Sequence, residues 1–162
     1  METYSHRYQS PFGKYILSSD GENLTGVWMD NQKYFPSDLP PTTTNLPIFT
    51  QVADWLDRYF AGHKPATSEL PLAPTGNEFR QAVWRQLCKI PYGKTITYGA
   101  IARAIGCRSA QAVGGAVGHN PISIIIPCHR VIGTNGSLTG YAGGLDAKVK
   151  LLELEGIFLI DN

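Results

Sequence analysis

The sequence predicts an α/β chain of the α+β kind in two lobes: a small antiparallel sheet with a helix, then a helical half containing a helix-turn-helix. Three observations predict it. β-prone runs fill residues 8–30, helical periodicity takes over from Phe49, and a proline-rich stretch at residues 63–75 interrupts that periodicity. The lobes are therefore expected at 1–74, with the linker, and 75–162. A chain of 162 residues, 43% hydrophobic and 17% charged, is long and apolar enough for such cores, which excludes a disordered polymer. No apolar run approaches the roughly 20 residues of a membrane span. The opening "METYSHRYQSPFGKY" lacks the basic end and apolar middle of a signal peptide, so a cytoplasmic protein is expected.

In chain order, "YQSPFGKYILSSDGENLTGVWMD" carries β-prone runs around Asp20-Gly21, a strong turn pair, and reads as an antiparallel sheet. In "PIFTQVADWLDRYFAG", Phe49, Val52, Leu56, Tyr59 and Phe60 recur at helical spacing and Gly62 supplies a stop. The second lobe opens on "TGNEFRQAVWRQLCKIPYG". Thr75 and Glu78 have capping-box spacing there, and Phe79, Val83, Trp84, Leu87 and Cys88 line one face, which makes Cys88 a core residue. After Pro91-Tyr92-Gly93, the residues Tyr98, Ile101, Ala102 and Ile105 define another helix that ends at Gly106. A tight turn, "GCRS", leads into "AQAVGGAVGHNP", and two short helices so joined read as a helix-turn-helix. Gly114, Gly115 and Gly118 each disfavour that second helix by roughly 1 kcal/mol against alanine. Either the helix packs tightly inside its lobe, or it presses its backbone against a large ligand such as a nucleic acid groove.

Charge favours the second possibility. Residues 1–74 hold five Lys/Arg and eight Asp/Glu, whereas residues 75–162 hold nine and five. Between Glu78 and Arg130, the cations Arg80, Arg85, Lys89, Lys94, Arg103, Arg108 and Arg130 face that one acid, Glu78. A polyanionic partner for the second half follows.

The three cysteines, at 88, 107 and 128, show neither C-x-x-C nor Cys/His ligand spacing, which argues against a disulfide framework or a structural zinc site. Cys128 stands apart because "IIIPCHRVIG" sets it beside His129 at the end of an apolar run. A thiolate is the nucleophile, and an ordinary thiol needs a base or a positive environment to supply one. In an extended strand adjacent side chains face opposite ways, so either Pro127 and the following bend re-aim the pair or a water joins them. A histidine base is usually held at its other nitrogen, and Glu155, at the end of "LDAKVKLLELEG", is placed against its helix dipole in a way that reaching back to His129 would explain.

The runs "FRQAVWRQLCKIPYGKTITYGAIARAIG" and "GHNPISIIIPCHRVIGTNGSLTGYAGGLDAKVKLLELEG" closely resemble the O6-alkylguanine-DNA alkyltransferases, densely from about residue 75 to 157 and only loosely before. The resemblance implies a ribonuclease-H-like first domain and a winged-helix-like second one. It implies Cys128 as a single-use alkyl acceptor, His129 as the group that draws its proton through a water, and Glu155 as the holder of His129. Asn120 would brace the bend, Tyr98 would assist the guanine leaving group, and Lys148 would lie near the site. Arg108, Gln111, Ala112, Gly115 and Arg130 would meet DNA, and the loop "GSLTGYAGG", with Tyr141 and the Ala142 backbone, would cover a flipped base. The implied partner is double-stranded DNA carrying O6-alkylguanine, with O4-alkylthymine left open. No cofactor and no metal is implied, no membrane is involved, and nothing calls for more than a monomer. One departure stands out, since Gln111 occupies the place where the family usually carries an intercalating arginine. A lesion sensor without chemistry is disfavoured by the presence of Cys128, and a thiol hydrolase by the adjacency of Cys128 and His129.

Overall fold

A computed structural model of the chain describes residues 3–30, 32–36, 39–40, 45–138 and 140–158. It forms two compact units, Met1–Thr75 with Pro121–Ser123, and Gly76–Asn120 with Ile124–Asn162.

In the first unit, β1 (Tyr4–Ser10), β2 (Gly13–Ser19) and β3 (Leu24–Met29) make an antiparallel sheet in the order β1-β2-β3. The turn after β2 is fixed by Asp20, whose carboxylate accepts the N–H groups of Glu22 and Asn23 at 3.0 and 2.8 Å. Alternation sends Tyr8, Tyr15, Leu17 and Val27 into the core. Helix α1 (Pro47–Phe60) starts on a proline, which suits the first turn, and buries Phe49, Val52, Trp55, Leu56 and Tyr59. Phe49 stacks on His6 of β1 at 5.4 Å, and the Tyr8 hydroxyl donates to Asp57 at 2.6 Å. Gly26 is required by its neighbour, because a Cβ there would fall inside the Trp28 ring.

The proline-rich stretch differs from a free linker. The Trp55 indole donates to the Ala66 carbonyl at 2.8 Å, a 3₁₀ turn spans Thr67–Glu69, and Leu72 bridges in parallel to Leu24 of β3. Farther along the same strand, Val27 takes a second parallel bridge from Ile122, with Val27 N–H donating to Pro121 at 2.8 Å. Local composition marked a break in periodicity, but tryptophan and edge-strand hydrogen bonding hold the segment down.

In the second unit, α2 (Glu78–Leu87) is capped by Asn77, whose side chain accepts from Arg80 N–H at 2.8 Å, and not by Thr75. Val83, Trp84 and Leu87 are buried, Phe79 is half-buried, and Cys88 is exposed. Cys88 therefore is not core: it keeps helical backbone angles as the C-cap, with its N–H on the Trp84 carbonyl at 3.1 Å, but it lies at the exposed end of the helix. Strand β4 (Ile96–Thr97) leads into α3 (Tyr98–Ala104), capped by the Thr97 hydroxyl at 3.1 Å from Ala100 N–H. Gly106, at φ +71°, turns the chain, and Ser109 caps α4 (Ala110–Gly118) through Ala112 N–H at 3.0 Å. The Trp84 indole donates to Ala116 of α4 at 2.9 Å, so α2 backs the helix-turn-helix.

The apolar run before Cys128 is no strand. Residues 121–126 form one bridge and turns, with Ile124 at φ +72°, a strained conformation for a β-branched residue. A 3₁₀ turn, Cys128–Arg130, then passes into β5 (Val131–Ile132), parallel to β4, and α5 (Leu145–Leu154) closes the unit. Among the described residues no helix is long and apolar enough to cross a membrane.

Candidate functional site

The sulfur is positioned by one carbonyl. Pro127, at φ −80° and ψ 66°, makes a tight turn in which Cys128 N–H donates to Ile126 at 2.8 Å. The Asn120 amide donates to that same oxygen at 2.8 Å, so Asn120 and Cys128 are tied through the Ile126 carbonyl. The 3₁₀ turn also changes the strand geometry that would have opposed Cys128 and His129, since its residues succeed one another by about 120°.

His129 is fully buried, and its Nε2 lies 2.5 Å from Glu155 Oε2. Burial pushes the imidazole below its ordinary range, more than the carboxylate raises it, so the ring is neutral at neutral pH. A carboxylate only accepts, hence Nε2 carries the proton and Nδ1 is left as the accepting nitrogen. Glu155 is also buried. Desolvation raises its pKa, but His129 and Arg130 outweigh this and hold it at about 2. Its Oε1 accepts Gly93 N–H at 2.9 Å and Arg130 Nε at 2.8 Å, and Arg130 Nη2 reaches Oε2 at 3.2 Å.

Arg130 is the main correction to the sequence-derived site. It is only 8% exposed, donates through Nη1 to the Ile90 carbonyl at 2.7 Å, and lies 5.7 Å over the Tyr92 ring. A guanidinium engaged in this way is committed to holding Glu155 and is not part of the exposed basic surface. Tyr92 and Gly93, which the sequence marked only as a helix break, and Ile90 thus serve the site through backbone groups and a ring face. The "PYG" turn signal located the first two without indicating that role.

Cys128 is 5% exposed, and burial raises its thiol above the ordinary range. The Asn120 side chain, the Lys148 charge, its own N–H and Tyr141 pull the other way. The resting sulfur is a thiol held among groups that favour its ionised form. Lys148 is fully buried on α5, and desolvation draws it down to about 8 while Cys128 opposes that shift.

The outward face of the helix-turn-helix contains Arg108, Gln111, Ala112 and Gly115, all exposed. A Cβ added at Gly115 or Gly118 would meet nothing within 4 Å, so internal packing does not demand these glycines. Gly114 does face inward, with its Cβ position 3.8 Å from the half-buried ring of Tyr98, the first residue of α3. Tyr141 and Ala142 are half-buried in the loop before α5, of which Thr139 lies outside the described residues.

A buried thiol, a neutral imidazole held by an ionised carboxylate, and an exposed glycine-bearing recognition helix in one unit define a DNA-binding protein with a cysteine nucleophile. The chain belongs to the 6-O-methylguanine DNA methyltransferase family: residues 3–74 match its ribonuclease-like domain and residues 78–157 its DNA-binding domain. It is 45% identical to the methylated-DNA–protein-cysteine methyltransferase of Haemophilus influenzae over 160 residues, covering 98% of this chain and 89% of that one. The protein of the same name from Methanosarcina acetivorans is 47% identical over 152 residues, 92% of this chain and 96% of its own. Among solved structures, the Mycobacterium tuberculosis OGT in complex with DNA superposes with a TM-score of 0.86 at 44% identity, covering 94% of this chain and 93% of that one.

Proposed function

We propose that this protein repairs O6-alkylguanine in double-stranded DNA by moving the alkyl group irreversibly to Cys128, once per molecule. The observation that carries this reading is the Cys128 thiol fixed by Asn120 and Ile126 in the same unit as the His129–Glu155 pair. The exposed helix-turn-helix face engages the duplex, and the target nucleotide leaves the stack at a cost of a few kcal/mol. Tyr141 and Ala142 flank the extruded base.

Sulfur then attacks the alkyl carbon in line, the carbon–O6 bond breaks as the carbon–sulfur bond forms, and guanine departs. The thiol proton passes through a water to Nδ1 of His129, whose positive charge Glu155 balances. Tyr98 assists the leaving guanine with a proton, and the Lys148 ammonium favours the developing thiolate. Arg130 and Gly93 act as positioning groups that keep Glu155 ionised and aimed. The product is a thioether whose unactivated carbon–sulfur bond water does not cleave, so turnover stops at one. A free nucleophilic thiol suits the reducing cytoplasm, where we place the protein as a monomer.

Intact mass spectrometry after one-to-one mixing with a duplex containing a single O6-methylguanine tests this. The expected outcome is a gain of one methyl mapped to Cys128 and absent from Cys128→Ala. Unmodified protein that still binds the lesion would make it a sensor.

A further inference from the structure

The first unit carries a second, chemically distinct feature. Strand register places Arg7, Ile16 and Trp28 directly opposite one another across the three strands, on the sheet face away from α1. Phe35, Leu39 and Pro40 lie at this face, where the Ser5 hydroxyl donates to the Pro40 carbonyl at 3.0 Å. The result is a pocket of about 270 Å³ whose wall includes Arg7, Lys14, Ile16, Asp30, Phe35 and Leu39. That volume lies just below the range of about 300–1,000 Å³ usual for small-molecule sites.

Its charge is unlike that of the lobe around it. Residues 1–74 hold five Lys/Arg against eight Asp/Glu, yet two of the five line this pocket. The contrast with Arg58 is direct, since that residue is neutralised by Asp54 and Glu69 at 3.0 and 2.8 Å. Among the described residues, the side chains of Arg7 and Lys14 make no ion pair. Two cations that pair with no carboxylate among the described residues, an aromatic and aliphatic wall, and one carboxylate form a set complementary to a ligand with three parts. Such a ligand has an anionic group, a flat apolar body, and N–H donors on its edge.

We infer that this pocket binds a nucleotide unit, with its phosphate on Arg7 and Lys14, its base against Phe35, Ile16 and Leu39, and base N–H groups toward Asp30. The unit can be a free mononucleotide or one residue of a single strand, since both present the same chemistry. The site lies wholly within the first unit and is independent of Cys128 and the helix-turn-helix.

The test is amide chemical-shift mapping on the full 15N-labelled chain, titrated separately with deoxyguanosine monophosphate, deoxyguanosine, inorganic phosphate, a short single-stranded oligonucleotide and an acidic peptide. The expected result is saturable shifts at Arg7, Lys14, Ile16, Asp30 and Phe35 with the mononucleotide. Removing either the base or the phosphate from the ligand should weaken binding about tenfold or more, the scale of losing a charge-assisted contact. Arg7→Glu with Lys14→Glu should abolish those shifts while leaving methyl transfer from O6-methylguanine duplex unchanged and the other amide signals of the first unit in place, which shows that the variant folds. Shifts at the same amides with the oligonucleotide, lost in the double variant and tighter than with the mononucleotide, would assign the strand as the source; weaker ones would assign the free nucleotide. No saturable shift at these amides, equal response to phosphate alone, or tighter binding of the acidic peptide would overturn the inference.

Discussion

The two units solve opposite problems with charge. In the first, the core is apolar and aromatic, and the ion pairs of Arg58 with Asp54 and Glu69 stay at the surface, where solvent screens them. In the second, His129, Arg130, Lys148 and Glu155 are all buried. Burying those groups is expensive unless each is paired and hydrogen-bonded, and Glu155 meets that demand by accepting from His129, Arg130 and Gly93 at once. The strained Ile124 belongs to the second unit too. Backbone strain is shared, since Tyr34 of the first unit lies at φ +64°; what sets the unit with the nucleophile apart is its desolvated charge.

The sharpest way to break that comparison is to remove one charge from each unit. Arg130→Met strands the buried carboxylate and should destabilise the protein by about 3–5 kcal/mol in urea unfolding. It should also slow methyl transfer, since Glu155 then holds His129 less firmly. Adding Glu155→Gln should restore part of the stability and none of the rate. Arg58→Ala, by contrast, should leave the unfolding midpoint almost unmoved. Equal effects of Arg130→Met and Arg58→Ala would erase the distinction between the units.

Acid separates them in the same direction. Glu155 is held at about 2 against an ordinary 4.5. A folded value below the unfolded one means that its contribution is complete above about pH 4.5 and is lost as pH falls toward about 2. Hydrogen exchange along α5 and the 3₁₀ turn should therefore accelerate across that window, ahead of the sheet of the first unit. Loss of protection in the sheet first would contradict this.

In the first unit the sensitive position is steric. Gly26→Val places a branched side chain where the Trp28 ring lies and should destabilise the unit by about 1–3 kcal/mol through overpacking. Methyl transfer per folded molecule should be unchanged, which separates packing from catalysis. A variant that kept its stability but lost activity would give the first unit a role in the chemistry.

What the sequence revealed follows this same division. Helical spacing located Val52, Leu56, Val83 and Trp84 in their cores, because burial of apolar side chains repeats with the helix period. The contact of Glu155 with His129 was legible from the cost of an acid near a helix C-terminus. The failures involve interactions with partners far along the chain. Arg130 looked like one more basic surface residue because nothing local announces that Ile90, Tyr92 and Glu155 surround it. The bridge and turns at 121–126 were not legible, since the pairing with Val27 and the turn at Ile124 are set by segments the run does not contain. The parallel pair Ile96↔Val131 and Thr97↔Ile132 is too short to leave any periodicity.

The smallest expected effect lies on the surface of the second unit, where charge is cheap again. The exposed face of α4 offers Gln111, Ala112 and Gly115, with Arg108 in the preceding turn as its nearest cation in sequence. Close approach of the backbone, which the open space at Gly115 permits, then has to supply contact that phosphate neutralisation does not. Gln111→Arg adds one cation at that face without touching the buried network. It should raise duplex affinity a few-fold and steepen the dependence of log K on log salt by about 1, as one further phosphate contact would. The pH dependence of methyl transfer should be unchanged, because His129 and Glu155 remain as they were. An unaltered salt slope would mean that position 111 does not face phosphate when DNA is bound, and that glutamine there serves the vacated base stack alone.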